Sequence, residues 1–209
     1  MIVTSKKMLR FCLMADRMMN TGSFRRSFSQ WVKELLSLDL RMSYLVTMRK
    51  LSYYKYKHHP LWLYYHYKYH RLSVKLGYTI GPDVFGYGLL LPHFGTIVVG
   101  PKNTIGNYAV MHVCSLITST NKQIGNSLFV STGAKITTCK RLGENVTIAA
   151  NSVVTKPFVE SNILLAGMPA VVKSARRPWW QGDEPFASRH QSCEELRLSM
   201  FGATDGQLA

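Results

Sequence analysis

Acidic side chains are scarce in this chain: 11 Asp and Glu stand against 26 Lys and Arg, a formal net charge of +15. That balance suits an anionic partner, whether nucleic acid, an anionic membrane, a polyanionic sugar or a phosphorylated cofactor; a solvated basic face that aids solubility is the plainer alternative. Cysteine is sparse too. Cys12, Cys114, Cys139 and Cys193 lie far apart and form no CxxC pair, which argues against a zinc knuckle or a dithiol redox motif. No run of about 18 apolar residues occurs, so no membrane span is expected. Lys6, Lys7, Arg10, Asp16 and Arg17 interrupt the opening residues, leaving no apolar stretch of signal-peptide kind. A cytoplasmic location is expected, with peripheral attachment to the inner face of the membrane left open.

What is present divides into three zones. With 209 residues, 46% of them hydrophobic, the chain has enough for one core and a helical extension. Residues 1–77 carry 15 basic and 3 acidic side chains, residues 78–177 carry 9 and 3, and residues 178–209 carry 2 and 5. The basic excess therefore sits mainly in the N-terminal third. We read these zones as an N-terminal helical region, a central β domain and a C-terminal tail.

The middle zone holds the strongest pattern. An aliphatic residue recurs every six positions at Ile124, Val130, Ile136, Leu142, Ile148 and Val154. Val99, Ile105, Met111 and Ile117 keep the same step one residue out of register, so one extra residue falls in the polar stretch 118–123, read as a small loop. A step of six fits neither the 3.6 of an α-helix nor a long alternating strand. It fits a short strand and a turn repeated along a solenoid, with each aliphatic side chain pointing into a narrow interior. Small or apolar residues mostly follow four positions later, at Ala109, Ser115, Ala134, Val146 and Ser152 among others; Lys140 breaks that secondary pattern and is expected at a bulge or an outward-turned corner.

Residues 29–75 read as helical from Trp31, Leu35, Leu36, Leu45, Met48 and Leu51, with Pro60 dividing two helices. Seven of the eleven tyrosines lie between Tyr53 and Tyr69, interleaved with Lys55, Lys57, His58, His59, His66 and Lys68. Two readings compete: aromatics packed helix on helix and onto the solenoid end, or a membrane-interface segment at residues 53–69 near a lipid-linked substrate. In the tail, Trp179 and Trp180 are expected to cover apolar surface, residues 193–200 to form a short helix, and the last residues to be disordered.

Three passages are more specific. Leu91-Pro92-His93-Phe94-Gly95-Thr96-Ile97-Val98-Val99-Gly100 resembles the catalytic-histidine segment of the hexapeptide-repeat acyltransferases, in their serine acetyltransferase-like branch associated with polysaccharide biosynthesis. The repeat block through Gly133-Ala134-Lys135-Ile136 and Ala150-Asn151-Ser152-Val153-Val154 is similar to theirs, and Ala166-Gly167-Met168-Pro169-Ala170 to their terminal signature. The resemblance implies a mainly β fold, a left-handed parallel β-helix, assembled as a homotrimer with acetyl-CoA and acceptor sites in clefts between subunits. It implies an O-acetyltransferase in which His93 is the general base, with no metal required.

The chemistry agrees with the residues available. Moving acetyl from a thioester to a hydroxyl needs a base at the attacking oxygen and donors for the oxyanion. A neutral imidazole suits the first role, and backbone N–H groups near Gly95 are candidates for the second. His112 lies nineteen residues after His93, close to one solenoid turn, and is a candidate for acceptor or cofactor contact. Family position nominates Ala134, Ala150 and Ser152 for the pantetheine arm of acetyl-CoA, and Lys135, Lys156, Lys173, Arg176 and Arg177 for its phosphates. Serine acetyltransferases of cysteine biosynthesis carry an Asp fifteen residues before the catalytic His, where this chain has Tyr78; Asp83 is a possible substitute. They also carry a longer Gly-rich loop where this chain has residues 119–123. Both departures favour a sugar hydroxyl, free or lipid-linked, as acceptor over serine. The alternatives are a serine O-acetyltransferase of cysteine biosynthesis or a non-catalytic β-helix scaffold; weaker still are a γ-type carbonic anhydrase, which needs three histidines where this region offers two, and a nucleic-acid binder, for which no module is recognisable.

Overall fold

The computed structural model describes residues 1–36 and 39–202. The disorder expected for the last residues falls outside them. Four helices come first: α1 (Lys6–Thr21), α2 (Phe28–Leu35), α3 (Arg41–Tyr56) and α4 (Leu61–Leu76). Pro60 stands at the N-terminal boundary of α4, dividing it from α3 as expected. Helix α1 lies in the N-terminal zone expected to be helical but ahead of the 29–75 stretch whose spacing marks helices; Ser5 caps it by accepting from the Met8 N–H.

The central zone is a parallel β-solenoid of about five turns, the β-helix expected from the repeat. Its short strands form three faces. One face stacks β1 (Tyr78–Ile80), β2 (Ile97–Val99), β5 (Ser115–Ile117), β8 (Lys135–Ile136) and β11 (Val153–Val154). The second stacks β3 (Thr104–Ile105), β6 (Gln123–Ile124) and β9 (Arg141–Leu142). The third stacks β4 (Val110–Met111), β7 (Phe129–Val130) and β10 (Thr147–Ile148), followed by β12 (Ile163–Gly167) and β13 (Ala170–Ala175). The step of six advances the chain by one face, so three steps return it above its starting point. The register confirms this: Val99 lies over Ile117, Ile117 over Ile136 and Ile136 over Val154. The aliphatic residues of the repeat are buried in one continuous core. The extra residue falls in the 118–123 turn between β5 and β6, where Lys122 is buried and its ammonium donates to the carbonyls of Thr137 and Cys139. Lys140 points outward as expected; Cys139 takes the interior place one residue earlier.

Coils approach so closely at the turns that some positions admit only glycine. A β-carbon on Gly100 would sit 2.3 Å from the Ser119 β-carbon. The last strand, β13, reverses direction and pairs antiparallel with β12. Helix α5 (Glu184–Phe201) is longer than the short helix expected and packs on α1, with Cys193 buried between them and aromatics such as Phe186 and Phe201 at the contact.

The helical region is fastened to the first coil by a buried ion pair. Arg49 of α3 and Asp16 of α1 meet at 2.7 Å, both essentially without solvent exposure. Arg49 also donates to the carbonyls of Phe85 and Gly86, and Asp16 accepts from the Leu89 N–H at 3.1 Å. Each guanidinium nitrogen and each carboxylate oxygen of the pair thus finds a partner, which is what makes a buried pair tolerable.

Candidate active site

A triangular coil has three corners, and the site residues sort by corner. His93 sits where the chain passes from the third face to the first, just after Leu90, which bridges to Val110 of the next coil. Fully buried Leu91 anchors the segment from inside, and helices hold it from outside. Asn20 of α1 accepts from the Leu91 N–H at 3.2 Å and donates to the Leu89 carbonyl at 2.8 Å. Arg41 donates to the Pro92 carbonyl and is itself fixed by Asp39, N to O 2.8 Å. That pairing holds the Asp39 carboxyl below its usual range, chiefly through the hydrogen bond from Arg41. The Tyr78 hydroxyl donates to the His93 carbonyl. So the backbone on either side of His93 is tied down while its side chain is exposed to solvent.

His112 stacks one coil on, with ring centroids 6.0 Å apart. It is half-buried, and burial, together with the nearby His93, lowers its pKa below the usual imidazole value. A neutral ring is favoured there. Beyond His112 the same corner continues as Ser131, Thr132 and Gly133, and then Ala149, Ala150 and Asn151, held in stack by Gly133 N–H to Val113 carbonyl and Asn151 N–H to Thr132 carbonyl, each 3.0 Å. Small side chains along this ridge let an extended ligand approach the backbone. Lys135 follows at the edge of the ridge, exposed on β8.

Two walls flank the histidines. On one side Lys33, Asp39, Arg41, Pro92, His93 and Phe94 line a cleft of about 350 Å³. Asp39 is the carboxylate of that cleft, and both its oxygens are engaged by Arg41. On the other side Phe129 lies 5.1 Å from the His112 ring, and Trp179 lies 6.2 Å from Phe129. The Trp179 indole is fixed by donating to the Tyr108 carbonyl at 2.9 Å. Asp39, Arg41 and Trp179 carried no sequence signal for the site, since each comes from outside the repeat and is brought there by tertiary packing; Tyr78 was noticed only as a missing aspartate.

Several expected site residues lie elsewhere. Asp83 occupies a different corner, between the first and second faces, and lines a cleft with Ser52, Lys55, Lys57 and Trp62; ten residues is more than half a turn, so it cannot orient His93. The Gly95 N–H is committed to the Leu76 carbonyl at 2.9 Å and is not free to hold an oxyanion. Ala134 and Ser152 point into the solenoid: Ala134 belongs to the core, and the Ser152 hydroxyl accepts from the Gly167 N–H at 3.1 Å. Lys156 shares the corner of Asp83, its ammonium 5.5 Å from the centre of the Phe158 ring. Arg176 and Arg177 line a cleft on the remaining corner with Asn145, Asn162 and Trp180. Lys173 is exposed on β13. Within one chain, then, His93, Gly95, His112 and Ala150 share a corner, with Lys135 beside it. Among the described residues, no group of three or more His, Cys, Asp or Glu is placed to hold a metal ion.

No protein-family model matches the chain. Its sequence is 31% identical over 111 residues to the serine acetyltransferase of Synechococcus elongatus, a match covering 49% of this chain and 45% of that protein. The chain thus spans a little under half the length of that curated relative. Among solved structures, the serine acetyltransferase of Neisseria gonorrhoeae superposes with a TM-score of 0.61 at 22% identity, over 86% of this chain and 72% of its own. A serine acetyltransferase in complex with CoA gives 0.59 at 24% identity, over 79% and 68%. What these proteins share with the chain is the parallel β-solenoid fold and, over 111 residues, part of its sequence.

Proposed function

We propose that the chain transfers acetyl from acetyl-CoA to a hydroxyl group, with His93 as general base. The observation that supports this best is the corner itself: an exposed imidazole on a clamped backbone, a second imidazole 6.0 Å away whose burial disfavours its charged form, and a ridge of small residues leading off from them. His93 takes the proton of the acceptor hydroxyl as its oxygen attacks the thioester carbonyl carbon. The tetrahedral oxyanion collapses, the C–S bond breaks, and the imidazolium returns the proton to the departing thiolate. His112 and the Phe129–Trp179 wall border the acceptor's approach. Ala150 and Lys135 border the path along the ridge, the place for the pantetheine arm and a phosphate.

For the acceptor, the relatives are named serine acetyltransferases, and they support serine over the saccharide that the sequence departures suggested. A saccharide hydroxyl, free or lipid-linked, remains a second reading because, among the described residues, no free carboxylate stands beside His93: Tyr78 holds the His93 carbonyl and Asp39 is engaged by Arg41. We also propose the homotrimer, in which a neighbouring copy would complete the cleft. The test is release of free CoA from acetyl-CoA with serine and, in parallel, with a panel of saccharides. Release with serine and its loss in His93→Ala support the reading. Release with a saccharide alone would move the acceptor, and no release with any hydroxyl compound would return the chain to a binding scaffold.

A further inference from the structure

Helix α4 has two apolar faces, and only one of them is covered. Tyr65, Tyr69, Leu72 and Leu76 face the core. Leu63, Tyr67 and Val74, four and seven residues apart, fall on the opposite side and are 59%, 63% and 71% exposed. At the start of the helix Leu61, Trp62 and Tyr64 are exposed around its other sides, and Tyr56 of α3 lines a cleft with Trp62. Half of the tyrosine-rich stretch therefore packs inward, as in the Tyr54–Tyr65 and Tyr44–Tyr69 stacks, and half is presented to the outside.

The charges carried by the end of α3 and by α4 are of one sign, with Asp83 at the edge, in the cleft of Lys55, Lys57 and Trp62. Lys55, Lys57, Lys68, Arg71 and Lys75 lie on the end of α3 and along α4, and no acidic residue occurs between Asp39 and Asp83. A second copy of the same face would set cations against cations, which disfavours self-pairing. An anionic surface complements it.

We propose that the outward face of α4 docks on an anionic lipid surface, the helix lying in the plane of the headgroups. Leu63 and Val74 enter the acyl boundary, the tyrosine and tryptophan rings sit at the headgroup level, and the lysine and arginine stems reach back to lipid phosphates. The helix lies on the surface because no helix among the described residues is long and apolar enough to cross a membrane. Leu76, the last residue of α4, accepts from the Gly95 N–H, so the docked helix ends beside the histidine corner. A lipid-borne acceptor would meet the site there. That consequence rests on the acetyl-transfer reading; the docking does not.

Flotation of the purified full chain with vesicles tests it, comparing phosphatidylcholine alone with a mixture containing phosphatidylglycerol. Binding is expected to the anionic vesicles and to weaken steeply as salt rises. Leu63→Ser with Tyr67→Ser and Val74→Ser alters only exposed side chains, and is expected to reduce binding about ten-fold or more with an unchanged circular dichroism spectrum. Lys68→Gln with Lys75→Gln should weaken binding and flatten its salt dependence. Absence of binding to anionic vesicles at low salt, or binding that survives the apolar triple variant, overturns the proposal. So does a triple variant whose assembly becomes smaller by light scattering, which would make the face a contact between copies. Vesicle binding without CoA release from acetyl-CoA would leave docking standing while the acetyl-transfer reading falls.

Discussion

At the scale of single residues, the histidine corner works through what is held and what is left free. His93 has a fixed backbone and an open side chain, so His93→Ala is expected to lower kcat by roughly 10²- to 10⁴-fold while leaving the thermal midpoint unchanged. Steady-state release of CoA and a melting curve check the two halves. Tyr78 acts by position: its hydroxyl holds the His93 carbonyl. Tyr78→Phe removes that bond and should cost about 1 kcal/mol of stability, with a larger loss in kcat than in KM. His112 offers a pH test. Its native pKa is depressed by burial and by His93, so in the window below the ordinary value of about 6.5 the unfolded chain binds more protons than the native one. Stability from this group is complete above about pH 6.5 and is lost as pH falls through the native value. Titration of the ring by NMR should give a midpoint below that of a free histidine; one at or above it would refute the assignment.

At the scale of elements, the solenoid was legible because its period is set by geometry that each residue reports alone. An aliphatic every sixth position, a one-residue slip at 118–123 and an outward Lys140 all sit where the sequence put them. The site was only partly legible, because spacing along a triangular coil determines the corner. His93 and His112, nineteen apart, land together, whereas Asp83 does not. Ala134 and Ser152 are small because the interior is narrow, a demand that mimics the one a ligand would make. Helices α1 and α5 and the Trp179 wall depend on contacts between distant segments, which periodicity does not carry. The coil spacing also yields a prediction. Gly100→Ala would drive a β-carbon to 2.3 Å from Ser119, and denaturant unfolding should show a loss of about 1–3 kcal/mol.

At the scale of the whole molecule, the helices and the solenoid are one unit joined through Asp16 and Arg49. Asp16→Ala leaves a buried guanidinium without its counter-charge and should cost about 3–5 kcal/mol, measured by chemical denaturation; replacing both partners with apolar residues of similar size should cost less. The reversal of β13 against β12 has a consequence of its own kind. A stack of identical rungs has no internal reason to stop, since each finished rung is a template for the next, from its own chain or another. An antiparallel strand on the third face breaks that template, because a further parallel rung would meet an edge running the other way. The stack is closed on that face by its own last strand.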